Sequence, residues 1–161
     1  MIMRKYPIIL LVDDSKSFRL FCRDIISKSV KWVRIYEALD GIEGLQLYLK
    51  YKPDLILVSV SESTYYLANE LLNSVPEKDR NYKTLLGGVF PTYASDKIIK
   101  NEYVDYVCRG EGEESIMELC NRFITGGRID DVMNFTIKAN GQIYKNKIRA
   151  GMDLNNVPIP D

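Results

Sequence analysis

Five short apolar runs, each followed by a helical stripe or a helix-permissive stretch, restrict this chain to a narrow set of folds. Pro7–Val12 is continuous and apolar, as expected of a strand covered on both faces. Phe18, Phe21, Cys22, Ile25 and Ile26 then fall at helical spacing on one stripe. Trp32–Glu37 alternates and reads as a second strand. Gly41 precedes a helix carrying Ile42, Leu45 and Leu49. Asp54–Val60 is a third strand, and Tyr65, Ala68, Leu71, Leu72 and Val75 mark the next helix. "KTLLGG" (83–88) gives a fourth strand, Ile98 and Ile99 a short helix, and "VDYVC" (104–108) a fifth strand. Ile116, Met117, Cys120, Phe123 and Ile124 form a last stripe. Strands alternating with helices in this way predict a five-stranded parallel sheet with helices on both faces, a doubly wound flavodoxin-like or Rossmann-like α/β fold.

The pattern changes after Gly126-Gly127. "MNFTIKANGQIYKN" (133–146) places two strand-like runs around Asn140-Gly141, a strong hairpin signal. The expected organisation is a doubly wound domain over 1–127, a β-hairpin appendage over 128–150, and a proline-bearing linker over 151–161.

Bulk properties exclude several functions. Lysine plus arginine equals aspartate plus glutamate, 22 each, so nothing predicts a nucleic-acid footprint. The longest apolar run is too short for a bilayer span, and with no apolar signal segment the expectation is a cytoplasmic protein. The chain has no histidine, which excludes Ser-His-Asp and Cys-His catalysis and any imidazole-ligated metal. Cys22, Cys108 and Cys120 are odd in number and far apart, and read as small buried apolar residues.

In doubly wound sheets, ligands bind at the carboxyl ends of the strands. Those ends are Asp13-Asp14-Ser15, Ser59-Val60-Ser61, Gly87-Gly88 and Arg109-Gly110-Glu111. Residues 7–60, through "ILLVDDS" and "YEALDGIEGLQLYLKYKPDLILVSV", resemble the receiver domain of bacterial response regulators. The resemblance implies a magnesium-binding acidic pair, here Asp13 and Asp14, and a phosphoryl-accepting aspartate where this chain has Ser59. A serine hydroxyl substitutes poorly for that carboxylate. A hydroxyl after strand four and a lysine after strand five complete a receiver site. Gly87-Gly88 and Arg109 stand at those places. The other role for Asp13 and Asp14 is to cap the first helix or to touch solvent or a cofactor.

From Pro53 onward the sequence resembles the N-terminal cobalamin-binding part of cobalamin-dependent radical SAM enzymes. The matching features are Gly87-Gly88-Val89-Phe90-Pro91-Thr92 after strand four, Arg109-Gly110-Glu111-Gly112-Glu113 after strand five, the hairpin, and "MDLNNVPIPD". The resemblance implies a cobalamin pocket at the ends of strands three to five. Close backbone approach at Gly87 and Gly88 suits such a pocket, as do the neutral hydroxyls of Ser59, Ser61, Ser63, Thr64 and Thr92. Arg109, Gly110 and Glu111 complete the expected set. The hydroxyls could also serve turns and caps, and the two glycines a tight turn. Gly110, Gly112 and Ser115 imitate a dinucleotide fingerprint, but Glu111, Glu113 and Glu114 would repel a pyrophosphate there.

Cobalamin domains of the mutase type carry a cobalt-ligating histidine after strand one; this chain reads "DDSKSFRL", which implies base-off cobalamin without a histidine ligand. The family's iron–sulfur cluster and S-adenosylmethionine would belong to a downstream catalytic domain, because the three cysteines do not form a Cys-x-x-x-Cys-x-x-Cys motif. Alone, the chain is expected to bind a cofactor and to catalyse nothing. The alternative is a degenerate receiver that binds a protein partner.

Overall fold

The computed structural model describes residues 6–150; the expected linker at 151–161 lies outside them. The strands are β1 (Ile8–Val12), β2 (Arg34–Ala38), β3 (Leu55–Ser59), β4 (Lys83–Gly87) and β5 (Tyr106–Cys108), followed by β6 (Phe135–Ala139) and β7 (Gln142–Lys145). The main helices are α1 (Lys16–Ser29), α2 (Gly41–Tyr51), α3 (Glu62–Asn73), α4 (Val89–Ile98) and α5 (Glu113–Thr125). One sheet of order β2-β1-β3-β4-β5-β6-β7 holds all the strands. Its first five strands are parallel, and the chain reverses its direction of winding between β1 and β3.

The pleat decides the two faces. Ile9, Leu11, Leu55, Leu57 and Leu85 pack against α1 and α5. Leu10, Ile56, Leu86 and Val107 point to the other face, under α2, α3 and α4. The three cysteines are buried in the first of these layers, among apolar neighbours.

The hairpin is present and turns at Asn140-Gly141, both with positive φ. It is not a free appendage. β6 pairs antiparallel with β5, Cys108 opposite Phe135, so the hairpin continues the sheet. Arg109 anchors this junction. Its backbone N–H donates to the Asn134 carbonyl at 2.8 Å, and its guanidinium donates to the Asn146 carbonyl. Asn134, held at φ 69°, donates from Nδ2 to the Glu111 carbonyl at 2.6 Å and accepts the Arg149 N–H on Oδ1 at 2.6 Å.

Several local expectations are corrected. Trp32 is not in a strand: it sits at φ 64° and is 74% exposed, and β2 starts at Arg34. Ile42 and Leu49 face outward on α2, where Gly44 and Tyr48 are the buried positions. The short helix expected at Ile98 and Ile99 is the end of a ten-residue helix, α4, that starts at Val89 and is kinked at Ala94. Gly88 starts it, and Pro91 sits in its first turn, where a missing N–H removes no helical bond.

Two buried acids close the amino ends of the strands. Asp54 accepts the Ile8 N–H at 2.8 Å, tying β1 to the start of β3. Asp105 accepts the Thr84 N–H at 2.9 Å and pairs with Arg80 at 3.0 Å and Lys83 at 2.7 Å. Removing one partner of such a buried group leaves the others unsatisfied. Asp105→Ala is therefore expected to lower unfolding free energy by about 3 kcal/mol, read from the urea midpoint at unchanged slope.

Candidate functional site

At the carboxyl edge of the sheet, the layer facing α1 and α5 loses its bulk. One layer down, Leu57 sits opposite Leu85. At the edge itself, Ser59 sits opposite Gly87. A Cβ on Gly87 would lie 3.7 Å from Cys108 Cβ, so a longer side chain there would grow into the space above. The space left is an opening of about 160 Å³, bordered by Leu11, Phe18, Cys22, Ser59, Gly87 and Gly112. Phe18 and Phe21 of α1 stand half-exposed beside it.

Gly88 is required by the backbone. It has φ 107°, and a Cβ there would sit 2.7 Å from the Val60 carbonyl oxygen and 3.3 Å from Ser59 Oγ. The strand-four turn thus presses directly on the end of β3. Thr92 joins it to the strand-five loop. Its hydroxyl donates to the Gly88 carbonyl at 3.0 Å and accepts the Gly110 N–H at 3.0 Å. The two expected motifs, Gly-Gly-x-x-x-Thr and Arg-Gly-Glu-Gly-Glu, are therefore one hydrogen-bonded unit. Gly110 adopts φ 72° with nothing near its Cα hydrogens.

The remaining expected residues separate by role. Ser61 is the N-cap of α3: Oγ accepts the Thr64 N–H at 3.3 Å, and Thr64 Oγ1 accepts the Ser61 N–H at 2.9 Å, a reciprocal capping box. Ser63 Oγ lies 2.9 Å from Ser61 Oγ. These three hydroxyls are engaged with each other at the start of α3, and none of them borders the opening between α1 and α5. Arg109 is buried and turned toward the hairpin; burial draws its guanidinium below the usual arginine value, and it does not border the opening. Glu111 borders the opening with an exposed side chain. Ser115, the third position of the dinucleotide-like run, is buried and accepts from Arg149 Nε at 3.0 Å.

The expectation that Asp13 and Asp14 cap α1 is corrected: the cap is Ser15, whose Oγ accepts the Phe18 N–H at 3.3 Å. Asp13 acts one step earlier, accepting the Ser15 N–H on Oδ1 at 2.7 Å, and Asp14 is exposed. Among the described residues, no three acidic, cysteine or histidine side chains gather into a metal-binding group. Burial raises the thiols of Cys22, Cys108 and Cys120 from 9.0 to about 12, so they are neutral at physiological pH.

A second, larger cleft of about 790 Å³ opens on the opposite face, between α2 and α3 over β1 and β3. The sequence reading did not anticipate it. The outward placement of Ile42 and Leu67, on its rim, is the feature that betrays it.

The strand order defines a flavodoxin-like α/β domain, a fold in which ligands bind outside the carboxyl ends of the strands. Comparison with known proteins gives the following similarities. Residues 43–120 match the family model of the B12 binding domain. The chain is 24% identical over 113 residues to an uncharacterized methyltransferase, PH0819, of Pyrococcus horikoshii, covering 69% of this chain and 25% of that protein. The structure superposes on the cobalamin-dependent S-adenosylmethionine radical enzyme OxsB with aqua-cobalamin and S-adenosylmethionine bound. The TM-score is 0.68 at 18% identity, over 97% of this chain and 24% of that one. It also superposes on a response regulator of Thermotoga maritima with TM-score 0.59 at 19% identity, over 74% of this chain and 98% of that one. The chain thus resembles both groups in fold, and it spans about a quarter of the length of the methyltransferase and of OxsB.

Two outcomes follow. Thr92→Val removes the bond that joins the two loops, along with the local bond to the Gly88 carbonyl, and is expected to cost about 1 kcal/mol and to speed amide hydrogen exchange at Gly110, while Thr92→Ser preserves protection. The raised thiol values mean that the folded state binds more protons than the unfolded state between pH 9.0 and about 12. Stability contributed by the three cysteines is therefore intact below pH 9.0 and lost as pH rises through that window, which denaturation midpoints at pH 8, 10 and 11 on wild type and a triple Cys→Ala variant will separate.

Proposed function

We propose that this chain is a cobalamin-binding module that works with a radical SAM catalytic domain, in an enzyme of the methyltransferase type. The observation that carries the reading is the small-residue layer at the carboxyl edge: Ser59 and Gly87 stand where the layer beneath has leucines, within the segment that matches the B12 binding domain. The residues fit the group. A cofactor with a flat ring, many amides and a long tail needs close backbone and neutral hydrogen-bonding partners. Gly87 leaves space for the tail, and Ser59 offers a neutral hydroxyl at the mouth of the opening between α1 and α5. Gly88, Thr92 and Gly110 hold the loops that frame it. Arg109 supports this frame from behind by fixing the hairpin. Ser61 and Thr64 do not border this opening; they face the α2/α3 cleft and take no part in this reading.

When bound, cobalamin supplies a cobalt centre able to carry an alkyl group. This chain has no histidine and so would offer the cobalt no imidazole; its residues would hold the cofactor through the small-residue layer, and the base-off form is part of the proposal. The iron–sulfur cluster and S-adenosylmethionine belong to the catalytic partner domain. The receiver likeness reflects the shared doubly wound fold; the acceptor position holds Ser59, a hydroxyl in place of a carboxylate.

The test is retention of hydroxocobalamin. The full chain is incubated with the cofactor and desalted, and its visible spectrum is recorded. Retained corrin absorbance near one equivalent is expected. Gly87→Leu should reduce retention by tenfold or more, an overpacking penalty of about 1–3 kcal/mol, with the far-UV circular dichroism unchanged. A folded wild-type chain that retains no corrin would overturn the proposal, and a magnesium-dependent response to beryllofluoride needing Asp13 and Asp14 would replace it with the receiver reading.

A further inference from the structure

We infer that the cleft between α2 and α3 is a second ligand site, and that it takes an apolar organic cation. This goes beyond the cobalamin reading, which uses the other face of the sheet. The cleft's volume, about 790 Å³, lies within the range of small-molecule sites. It sits over β1 and β3, the pair at which the chain reverses its winding and where such folds accept ligands. Its floor is apolar: Leu10 and Val12 of β1, Ile56 and Val58 of β3. Its inner end is closed by Tyr48 and Tyr82, whose rings meet edge to face at 5.1 Å. Burial raises the Tyr82 hydroxyl to about 12, so that hydroxyl is neutral; Lys52 Nζ lies 4.7 Å from the Tyr48 ring and the Arg80 guanidinium 5.8 Å from the Tyr82 ring, away from the carboxylates at the mouth.

Two glycines set the cleft's shape. A Cβ on Gly44 would lie 3.2 Å from Val12 Cγ2, and one on Gly41 would lie 2.2 Å from Leu71 Cδ1. They let α2 come down onto β1 and against α3 at its first turn. Beyond these contacts the two helices leave the groove between them.

The charge is one-sided. Asp13, Asp14, Asp40 and Glu70 border the cleft, and among the described residues no lysine or arginine does. Asp13 and Asp40 accept backbone N–H groups, from Ser15 at 2.7 Å and Glu43 at 2.8 Å, and neither has its charge neutralised by those bonds. A phosphate or carboxylate ligand would meet only like charge there. A molecule with an apolar body lying on the strand floor and a cationic end at the carboxylates satisfies both surfaces. The rim explains the exposed apolar side chains: Ile42 and Leu67, 70% and 62% exposed, would be covered by the outer part of such a ligand.

The experiment compares three probes of one shape on the full chain by titration calorimetry: 1-naphthylmethylammonium, 1-naphthalenemethanol and 1-naphthoate. The ammonium is expected to bind about tenfold more tightly than the naphthoate at low salt, with the difference shrinking at high salt. Asp14→Asn with Glu70→Gln should weaken the ammonium about fivefold. Ala68→Trp should abolish binding by filling the groove from α3. Leu67→Arg, at an exposed position where folding is safe, should turn the preference toward the naphthoate. Equal affinity for ammonium and naphthoate would overturn the inference, as would unchanged binding in a folded Ala68→Trp chain or an unchanged preference in Leu67→Arg. Saturable self-association that the ammonium does not compete with would instead assign the groove to a second copy. Hydroxocobalamin retention is measured on the same variants. It should be unchanged in Ala68→Trp and Leu67→Arg, and this separates failure of this inference from failure of the cobalamin reading.

Discussion

The parallel ladder of β1, β3 and β4 is the constraint on which everything else rests. Its register sets Leu57 beside Leu85 and then Ser59 beside Gly87, so each strand exhausts its large side chains at the same level. A sheet buried on both faces normally continues its apolar layers to the edge. Here the outermost layer on the α1/α5 face is made of small residues, and the space they leave is the candidate cofactor opening. A one-residue slip of β4 would move Gly87 to the other face and set Leu86 beside the opening. Asp105 opposes such a slip at the amino end by holding the Thr84 N–H of β4, as Asp54 fixes β1 against β3 by holding the Ile8 N–H.

The loops beyond the ladder are organised by hydrogen bonds rather than by packing. Thr92 bridges the turn after β4 and the loop after β5. Asn134 bridges that loop to the hairpin, and Arg109 ties the hairpin exit back to the sheet. Neutral donors and acceptors are spent on holding the frame, which leaves few of them free to contact a ligand. Ser59 is the exception: it is half-buried and borders both openings.

Much of the architecture was legible because burial on both faces writes continuous apolar runs, and because α1, α3 and α5 carry clear stripes. The failures have physical causes. α4 was underestimated because Gly88 and Pro91 look like breakers, although one starts the helix and the other occupies its first turn. Trp32 continued an alternating run in sequence, yet a positive φ places it in a turn. The hairpin was readable from Asn140-Gly141, but its pairing with β5 depends on Arg109 and Asn134 meeting across sequence distances that no local pattern encodes. At the site, Ser59, Gly87, Gly88 and Thr92 were found through glycine chemistry and the motif order. Arg109 was assigned to the ligand side on the same grounds, and its side chain faces the hairpin. The α2/α3 cleft was missed because a helix stripe with Ile42 and Leu49 reads as buried unless the small Gly44 is recognised as the contact point.

A doubly wound sheet has two faces and one carboxyl edge, and in this chain both faces open onto it. Val12, Asp13, Val58, Ser59 and Gly88 border the opening under α1 and the cleft under α2 alike. The alternation of the pleat makes this unavoidable: at the end of a strand, neighbouring residues point to opposite openings while sharing one backbone. At this edge the two strand ends meet through backbone: the Val60 N–H donates to the Gly87 carbonyl at 2.9 Å, and a Cβ added to Gly88 would lie 2.7 Å from the Val60 carbonyl oxygen. The receiver-like acidic pair sits at this shared edge. What it contributes there is negative charge at the mouth of the α2/α3 cleft and a fixed turn into α1, while the α1/α5 opening is bordered by Asp13, Arg19, Glu111 and Glu113 around its small neutral layer.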